Sequence, residues 1–232
     1  MNINVFLPCR KGSQRVPKKN IKPFADYEYG LLEIKIIQLI NTKNVNKIII
    51  STDDDEVIKF SKNFDSSKII IHKRDSYLAS SDCSTDKLVA HAATLVSAGD
   101  ILWTHVTSPF LNSELYDKII EKYYKVLKLG FDSLMTVNTV QTFLWNNNGP
   151  INYDREVEKW PRTQTLKPIF EINSGVFLAN KNIYLKTNDR IGKKPFMYKL
   201  NKLEGFDVDD KDDFTIAENM QNVFQKKIKD ID

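Results

Sequence analysis

Cysteine and histidine are scarce in this sequence. Its 232 residues include two cysteines, Cys9 and Cys83, and three scattered histidines. Two thiols do not make the disulfide framework of a small secreted domain, and a structural zinc site needs four suitably spaced ligands. The sequence therefore predicts a chain that folds without disulfides or zinc, and we expect it in the cytoplasm.

Long apolar runs are missing as well. The longest, such as residues 48–50 and 69–71, fall far short of the roughly 20 residues that cross a membrane. The first seven residues carry neither a basic segment nor a small-residue cleavage site, so we expect no signal peptide. Lys and Arg number 34 against 30 Asp and Glu, a formal net charge of +4. This excess is too small for a dedicated nucleic-acid-binding protein, but it allows one local basic site.

Short apolar runs alternate with helical patterns through the first 140 residues. Strands are predicted at 5–8, 46–51, 68–72, 101–105 and 132–137, and helices at 30–43, 54–63, 84–98 and 113–129. Asp82 or Ser84 is expected to cap the third of these helices. Buried strands separated by helices are typical of a parallel sheet covered on both faces. The sequence thus predicts an α/β fold with a doubly wound, mostly parallel, Rossmann-like sheet.

The pattern changes after residue 140. Residues 141–170 lack a helical stripe, carry aromatic residues and prolines, and include the turn Asn-Asn-Asn-Gly-Pro. We expect a hairpin-like arm that leaves the main sheet. Strands at 174–179 and 204–208 and a helix at 211–228 complete the prediction of one domain, 1–232, with one protruding arm.

The loop after the first predicted strand is the strongest functional signal. Residues 8–20 read PCRKGSQRVPKKN and carry five cations, Arg10, Lys11, Arg15, Lys18 and Lys19. Gly12 and Ser13 allow a tight turn whose backbone N–H groups face an anion. Neither G-x-x-x-x-G-K-S/T nor G-x-G-x-x-G occurs, which argues against a P-loop enzyme and an NAD-dependent dehydrogenase. A diphosphate or triphosphate cradle is the favoured interpretation, and a solvated basic loop is the alternative.

This loop resembles the P-A-R-x-G-S-K-x-x-P-x-K-N signature of sugar-acid cytidylyltransferases, which activate sialic acid and related nonulosonic acids with CTP. Further motifs follow in the family's order: STDD at 51–54, RxxxLASSD at 74–82, TSPF at 107–110, PRxQ at 161–164, NSG at 173–175, FDVD at 206–209 and DFxxAE at 213–218. The resemblance covers essentially the whole chain. It implies attack of a sugar hydroxyl on the α-phosphorus of CTP, with loss of pyrophosphate, for surface glycan synthesis.

The resemblance assigns the nucleotide side of the site. Arg10 and Lys19 are implied to grip the phosphates as catalytic cations, and the other nucleotide-binding residues of the loop are Gly12, Ser13, Arg15 and Asn20. Gln14 stands where many relatives carry lysine, and Arg15 offers a replacement cation. Arg74 and Asp82 fall in the segment that reads cytosine and ribose in this family. A guanidinium suits that task because it donates two hydrogen bonds in one plane.

Asp207 and Asp209 are the candidate metal ligands and complete the expected catalytic set. On a strand at 204–208, residues two apart share a face, and paired carboxylates are ligands that Mg²⁺ prefers. Such a metal would bridge substrate oxygens and lower the pKa of the attacking hydroxyl. The alternative for Asp207 and Asp209 is that they only cap the following helix, which is the role expected of Asp212 and Asp213. For Asp53 and Asp54, a structural cap is at least as well supported as a catalytic role.

The acceptor side departs from the family pattern. The candidate substrate-binding residues are His105, Thr107, Ser108, Gln164, Glu171 and Asn173. His105 and Val106 stand where Gln-Pro is usual, and Glu171 stands where sialic-acid enzymes carry an arginine suited to a carboxylate. We therefore expect a modified nonulosonic acid, of the legionaminic or pseudaminic type, as acceptor. Kdo, a sugar or polyol phosphate, and a non-catalytic CTP-binding module are the alternatives. In a further alternative, Glu171 points into solvent or pairs with Arg162 and does not contact the sugar, so that it carries no information about the acceptor.

Aromatic residues in the arm suggest a partner surface. Trp145, Tyr153 and Trp160 indicate burial, and the corresponding segment packs across a homodimer in the resembling family. The arm folding back on its own sheet is the alternative. The expected partners are therefore CTP, a small sugar and a second subunit, without nucleic acid or membrane. His91 is expected to be a packed or surface histidine.

Overall fold

The apolar runs of the first half form the inner strands of one sheet. The computed structural model describes residues 2–80 and 82–229. Their strands are Ile3–Pro8 (β1), Val45–Thr52 (β2), Ile69–Lys73 (β3), Asp100–Trp103 (β4), Ser133–Val140 (β5), Trp145–Asn146 (β6), Gly149–Pro150 (β7), Ile169–Asn180 (β8) and Pro195–Leu200 (β9). Seven of them form one sheet in the order β3-β2-β1-β4-β8-β5-β9, while β6 and β7 form a small hairpin. β8 is antiparallel to β4 and β5, and the remaining pairs of the sheet are parallel. The prediction of a mostly parallel α/β sheet is confirmed.

Helices cover both faces of this sheet. They are Gly30–Asn41 (α1), Asp55–Ser61 (α2), Ser76–Ala79 (α3), Thr85–Thr94 (α4), Ser113–Leu127 (α5), Lys181–Thr187 (α6) and Lys211–Lys229 (α7). Successive side chains of a strand point to opposite faces, so Val5 and Leu7 of β1 join one core and Phe6 joins the other. The first core packs against α1, α5 and α7, and the second against α4 and α6. The sheet is therefore doubly wound, as predicted.

Several expectations about the secondary structure are wrong or incomplete. No strand forms at 204–208, because the Asn201 side chain accepts hydrogen bonds from the backbone N–H groups of Leu203 and Glu204 and turns the chain. The edge strand β9 and helix α6 were not predicted. β8 begins at Ile169, so the last residues of the predicted arm belong to the main sheet. The helix predicted at 84–98 ends at Thr94, and Ser84 is its N-cap.

The arm is anchored at its base by one buried side chain. The Asn152 amide donates to the backbone oxygens of Thr142 and Lys167 and accepts from the N–H of Leu144. These bonds join the two ends of the segment behind the β6–β7 hairpin. The arm is thus held at its root, while Trp145 and Trp160 are 55% and 69% exposed. Among the described residues, no helix is both long and apolar enough to cross a membrane.

Candidate active site

The basic loop follows β1 and is organised by backbone contacts. Gly12 has a φ of +82°, a conformation that glycine adopts without strain. The Asn20 side chain donates to the Arg10 carbonyl oxygen at 3.2 Å, and the Lys11 N–H donates to Asp53 Oδ1 at 2.8 Å. These bonds close the loop at the carboxyl ends of β1 and β2. Asp53 therefore shapes the loop, whereas Asp54 caps α2 by accepting from the Glu56 N–H.

The structure separates the cations of this loop into two groups. Arg10, Arg15 and Lys19 line a cavity of about 330 Å³, the basic cavity, together with Ser13, Asn20, His105 and Thr107. Lys18 instead forms an ion pair with Glu56 at 2.7 Å. Lys18 and Lys11 line a neighbouring cavity of about 270 Å³, which Arg10, Gly12, Ser13 and Asn20 also border. The Arg10 guanidinium makes no hydrogen bond or ion pair within the described residues, so it is available to a ligand.

Lys19 and Arg15 connect the basic loop to the acidic segment before α7. Lys19 Nζ donates to the carbonyl oxygens of Val208 at 2.7 Å and Asp209 at 3.3 Å. Burial lowers the pKa of Lys19, and the charges of Asp209 and Asp207 oppose that effect. Arg15 forms an ion pair with Asp209 at 2.9 Å. The two predicted halves of the phosphate and metal site therefore lie in contact.

Asp207 and Asp209 line one cavity although no strand carries them. Burial raises the pKa of Asp207, and the hydroxyls of Thr107 and Ser174 act in the opposite direction. Asp207 Oδ1 is buried and has no hydrogen-bond partner in the described part of the chain. A buried, unpaired carboxylate oxygen is costly unless a cation compensates it, so the donor set fits a hard divalent cation. The described residues hold no cluster of three or more metal-ligating side chains. A metal here would therefore depend on this pair and on substrate oxygens.

The neighbouring aspartates have capping roles. Asp210 Oδ1 accepts from the N–H groups of Asp212 and Asp213 at the start of α7. Asp213 Oδ2 accepts from the N–H groups of Asp209 and Asp210. Asp213 therefore fixes the backbone of the segment that carries the candidate metal ligands. The capping role expected of Asp212 belongs to Asp210, whose carboxylate accepts from the Asp212 N–H.

Arg74 lies deeper than its predicted role suggests. The side chain is 4% exposed, and its guanidinium donates from Nε to Ser51 Oγ at 3.0 Å and from Nη2 to the Ser51 carbonyl oxygen. Burial also lowers its pKa. Two of its N–H donors thus bond to Ser51 at the end of β2, and Nη1 is the nitrogen that remains available to bind the cytosine. Ser51 also contacts His72 Nδ1 at 3.1 Å. It begins the STDD motif, but the sequence assigned it no role of its own.

A second and larger cavity lies beside the acidic segment. This cavity, of about 960 Å³, is bordered by the ends of β5 and β8, the turn at 200–206 and the segment from Asp207 to Asp213. It is named the acceptor cavity because the sequence predicts that Glu171 and Asn173, which border it, bind the acceptor. Its charged residues are Glu171, Lys202, Asp207, Asp209 and Asp213. Lys202 makes no hydrogen bond or ion pair among the described residues. It was not singled out from the sequence, because an isolated lysine in a polar turn gives no pattern.

Glu171 and Asn173 border the acceptor cavity on β8. Glu171 accepts from Asn138 Nδ2 at 3.0 Å, and no ion pair joins it to Arg162 in the residues described. Asn173 is 6% exposed and uses its amide inward, accepting from Thr136 Oγ1 and donating to Asn138 Oδ1. Glu171 thus presents a carboxylate to the cavity, while Asn173 mainly orders its wall.

The remaining candidates are distributed differently from expectation. Trp103 Nε1 donates to His105 Nε2 at 2.9 Å, and His105 Nδ1 lies 3.1 Å from the Ser174 carbonyl oxygen. Burial lowers the pKa of His105 to about 4, so the ring is neutral and both nitrogens are engaged. Ser108 is buried and borders neither cavity, whereas Thr107 and His105 both border the basic cavity.

Two further candidates and His91 lie away from both cavities. Gln164 is exposed in a single helical turn of the arm, Thr163–Thr165, and Asp82 is exposed in the turn after α3. Neither borders the basic or the acceptor cavity. Ser81 of the same motif lies outside the described residues. His91 packs on α4 with its ring centroid 5.0 Å from that of His72, as expected for a packed histidine.

The sequence matches a family of nucleotidyltransferases over nearly its whole length. A family model described as "Cytidylyltransferase" matches residues 5–227. The chain belongs to the cytidylyltransferase family.

Curated relatives agree with this assignment at low identity. An N-acylneuraminate cytidylyltransferase of Escherichia coli is 24% identical over 97% of this chain, but the match spans 52% of the relative's length. A pseudaminic acid cytidylyltransferase of Campylobacter jejuni is 22% identical over 94% of this chain and 95% of its own. The chain thus spans about half the length of the Escherichia coli relative and nearly all of the Campylobacter jejuni one.

Solved structures share the fold. A CMP:2-keto-3-deoxy-manno-octonic acid synthetase complexed with CTP matches with a TM-score of 0.66 and 12% identity, over 95% of this chain and 98% of its own. A 4-diphosphocytidyl-2C-methyl-D-erythritol synthase from Anaerococcus prevotii matches with a TM-score of 0.65 and 13% identity, over 95% and 96%. At these identities the likeness establishes the fold alone.

Proposed function

We propose that this protein transfers CMP from CTP to a hydroxyl of a nonulosonic-acid sugar and releases pyrophosphate. The supporting observation is the contact of Lys19 with the carbonyl oxygens of Val208 and Asp209. It joins the basic cavity, which suits a triphosphate, to the carboxylates that border the larger cavity, which suits a sugar. The family supplies the reaction class, and the relatives at 22–24% identity favour a nonulosonic acid as the acceptor.

The nucleotide side acts by holding and neutralising charge. In the reaction, the acceptor oxygen bonds to the α-phosphorus, the bond from that phosphorus to the β-phosphate oxygen breaks, and the hydroxyl proton is lost. Arg10 and Lys19 would bind the phosphate oxygens, and Arg15, Ser13, Asn20 and the turn at Gly12 would add donors. Fixed cations around a leaving pyrophosphate supply most of the stabilisation in such reactions. Arg74 Nη1 and Asp82 are assigned to the cytidine.

Asp207 and Asp209 are the residues that would hold Mg²⁺. When bound, the metal would neutralise phosphate charge and acidify the acceptor hydroxyl. The unpartnered Asp207 Oδ1 is the feature of this chain that favours the assignment. Lys19 and Asp213 hold the backbone of the same segment, so the carboxylates are presented at a fixed position between the two cavities.

The acceptor would enter the cavity bordered by Glu171 and Lys202. Glu171 is suited to accept hydrogen bonds from amide or hydroxyl groups of a substituted sugar, and its charge disfavours a carboxylate nearby. Lys202, on the turn after β9, is the cation bordering this cavity that is left to attract the acid group. Thr107 and His105 border the basic cavity, and Asn173 orders the wall of the acceptor cavity. Ser108 supports Thr107 from a buried position.

The arm is proposed to form a homodimer contact. Phe143 packs edge-on against Tyr153 and Trp160 at 5.2 and 5.5 Å, and Arg155 lies over the rings of Trp145 and Trp160. The two tryptophans nevertheless remain more than half exposed. An exposed aromatic cluster of this kind is typical of an interaction surface.

Product analysis with a sugar panel tests the function. CTP, Mg²⁺ and purified protein would be incubated with pseudaminic, legionaminic and N-acetylneuraminic acids, Kdo, and a polyol phosphate. We expect pyrophosphate and a CMP-sugar with a nonulosonic acid, and no turnover by Asp209→Asn. Turnover with Kdo or a phosphate ester alone would overturn the acceptor assignment. CTP binding without pyrophosphate release for any acceptor would instead favour a binding module.

A further inference from the structure

A lysine is completely buried beneath the candidate active site. Lys35, on α1, is 0% exposed, and its Nζ lies 2.8 Å from the Ser108 carbonyl oxygen and 2.8 Å from the Tyr116 hydroxyl. Lysine is almost never fully buried, because its ammonium group loses its hydration. Burial lowers the pKa of Lys35 well below its usual value, and the charge of Asp207 acts in the opposite direction. The reaction described above gives this residue no role.

Lys35 belongs to a set of contacts that leads to the metal-binding segment. Lys35 holds the Ser108 carbonyl, and Gln38, one turn later on α1, donates to the Pro109 carbonyl oxygen at 2.6 Å. The preceding carbonyl of this loop, that of Thr107, accepts a hydrogen bond from the Val208 N–H at 2.8 Å. Val208 lies between Asp207 and Asp209. Helix α1 thus fixes the 107–109 loop, and the loop fixes the backbone between the two carboxylates.

The other side of the network is equally tied down. The Tyr116 hydroxyl, on α5, also pairs with Thr104 Oγ1 at 2.8 Å, where the loop leaves β4. Buried polar groups therefore hold the backbone of the loop, in addition to the packing of Val106 and Leu111 in the first core. Replacing buried charged groups by apolar ones often leaves stability unchanged or improved, so stability alone does not account for a lysine here.

We propose that Lys35 is a positioning residue for the divalent metal: by fixing the 107–109 loop, it holds the Val208 backbone so that Asp207 and Asp209 face one cavity. This inference rests on the proposed assignment of the metal to those two aspartates. Lys35 borders neither the basic nor the acceptor cavity. Its removal should therefore weaken metal binding without removing a phosphate contact.

The test compares Lys35→Met with Lys68→Met. Lys68 is the control because its Nζ likewise makes two hydrogen bonds, to the carbonyl oxygens of Ile40 and Thr42 at the other end of α1. Mn²⁺ binding would be measured in the presence of CTP by the loss of the free-ion EPR signal, relative to the loss that the same CTP concentration causes without protein. CTP binding in EDTA would be measured by calorimetry. We expect Lys35→Met to weaken Mn²⁺ binding about tenfold or more, Lys68→Met to change it less than twofold, and metal-free CTP binding to stay within threefold in both.

Two further variants keep the proposal testable. Should Lys35→Met fail to fold, Gln38→Leu removes the second α1 contact to the same loop and should weaken Mn²⁺ binding about threefold. Equal Mn²⁺ affinities for Lys35→Met and Lys68→Met would overturn the positioning role. Asp207→Asn distinguishes failure of the Lys35 proposal from failure of the metal assignment. If it weakens Mn²⁺ binding and Lys35→Met does not, only the role of Lys35 fails. If Asp207→Asn has no effect, the metal assignment fails, and the role of Lys35 fails with it.

Discussion

The Arg15 guanidinium lies 2.9 Å from Asp209 Oδ1, so a cation of the phosphate loop pairs with a carboxylate of the metal pair. Their side chains are 65% and 55% exposed, and an exposed pair of this kind is worth at most about 1 kcal/mol. In the proposed nucleotide complex, Arg15 would turn to a phosphate and Asp209 to the metal. The ion pair is therefore suited to the ligand-free state, because the binding of nucleotide and metal can break it at a small cost in free energy.

Removal of Arg15 should have opposite effects on the two ligands. Arg15→Met leaves Asp209 without its competing cation, so Mn²⁺ should bind the nucleotide-free protein more tightly, by up to about fivefold. CTP binding in EDTA should weaken, because one phosphate-facing cation is lost. Calorimetry with each ligand separately measures both effects. Weaker Mn²⁺ binding in Arg15→Met would contradict the competition between guanidinium and metal.

The loop cations should differ in importance. Arg10→Ala and Lys19→Ala should each lower kcat/KM for CTP by roughly 100-fold or more, or about 2.7 kcal/mol, because both residues border the basic cavity. Lys18→Ala should cost less than about threefold, since Lys18 is paired with Glu56 outside that cavity. Lys11→Ala is expected to behave like Lys18→Ala. Steady-state kinetics at saturating acceptor give the comparison. Equal losses in all four variants would indicate a diffuse basic patch in place of an organised cradle.

The main features of the fold could be predicted because they depend on local periodicity. Runs of isoleucine and valine between helical stripes indicated five strands, and all five are present in the sheet. Helix α6 could not be predicted, because its seven residues are too few to show a helical period. Strand β9 lies at the sheet edge and is mostly half-exposed, so its apolar pattern is weak. The apparent alternation at 204–208 was misleading, because the Asn201 turn and one hydrogen bond to Thr107 determine its path.

The candidate site was less predictable than the fold. The sequence placed the cations in a loop and the two aspartates on a strand that does not form, and the structure nevertheless brings Lys19, Arg15 and Asp209 into contact. It could not indicate that Arg74 donates to Ser51, since tertiary burial determines that pairing. Lys35 did leave a signal: it occupies the i+3 position of the apolar stripe formed by Leu32, Ile36 and Leu39. A charged residue on a core-facing stripe marks a buried polar network.

Neutralising Asp207 should stabilise the metal-free protein. Because burial raises the pKa of Asp207, the folded state binds its proton more tightly than the unfolded state does. The ionised form therefore costs stability above the raised pKa, and this cost disappears as the pH falls through it. Asp207→Asn should raise Tm in EDTA at pH 7.5 by about 2–4 °C, or roughly 1 kcal/mol. The difference should shrink towards pH 4. Thermal melts across this range measure it, and a lower Tm for the variant at pH 7.5 would contradict an uncompensated buried carboxylate.

The same melts test the metal. Mg²⁺ with CTP should raise the Tm of the native protein, because a ligand that binds only the folded state stabilises it. Asp207→Asn should lose most of that gain. Retention of the full Mg²⁺-dependent gain would place the metal elsewhere.

The exposed arm should govern association. Trp160→Ser and Trp145→Ser remove the two most exposed tryptophan rings of the aromatic cluster. We expect the native chain to be dimeric by light scattering after size exclusion, and the double variant to dissociate at least tenfold more readily. Leu129→Ser is the matched control, since Leu129 is 70% exposed and lies outside the arm. A native monomer, or a dimer unaffected by the arm substitutions, would rule out this interface.

The acceptor cavity should discriminate among sugar acids. Glu171 borders it and accepts from Asn138 Nδ2 at 3.0 Å, so its carboxylate is held near the position where sialic-acid enzymes would carry an arginine. We expect N-acetylneuraminate to be used at least tenfold less efficiently in kcat/KM than the preferred nonulosonic acid, a difference of about 1.4 kcal/mol. Glu171→Gln should narrow that ratio, because it keeps the hydrogen bond to Asn138 while removing the charge. Lys202→Met should instead raise KM for all sugar acids by a similar factor, because it removes a cation that borders the cavity and has no ion pair among the described residues. Lys193→Met, an exposed lysine that borders neither the basic nor the acceptor cavity, is the control. If N-acetylneuraminate is the best acceptor and Glu171→Gln changes nothing, Glu171 does not select the sugar, and its bond to Asn138 is purely structural.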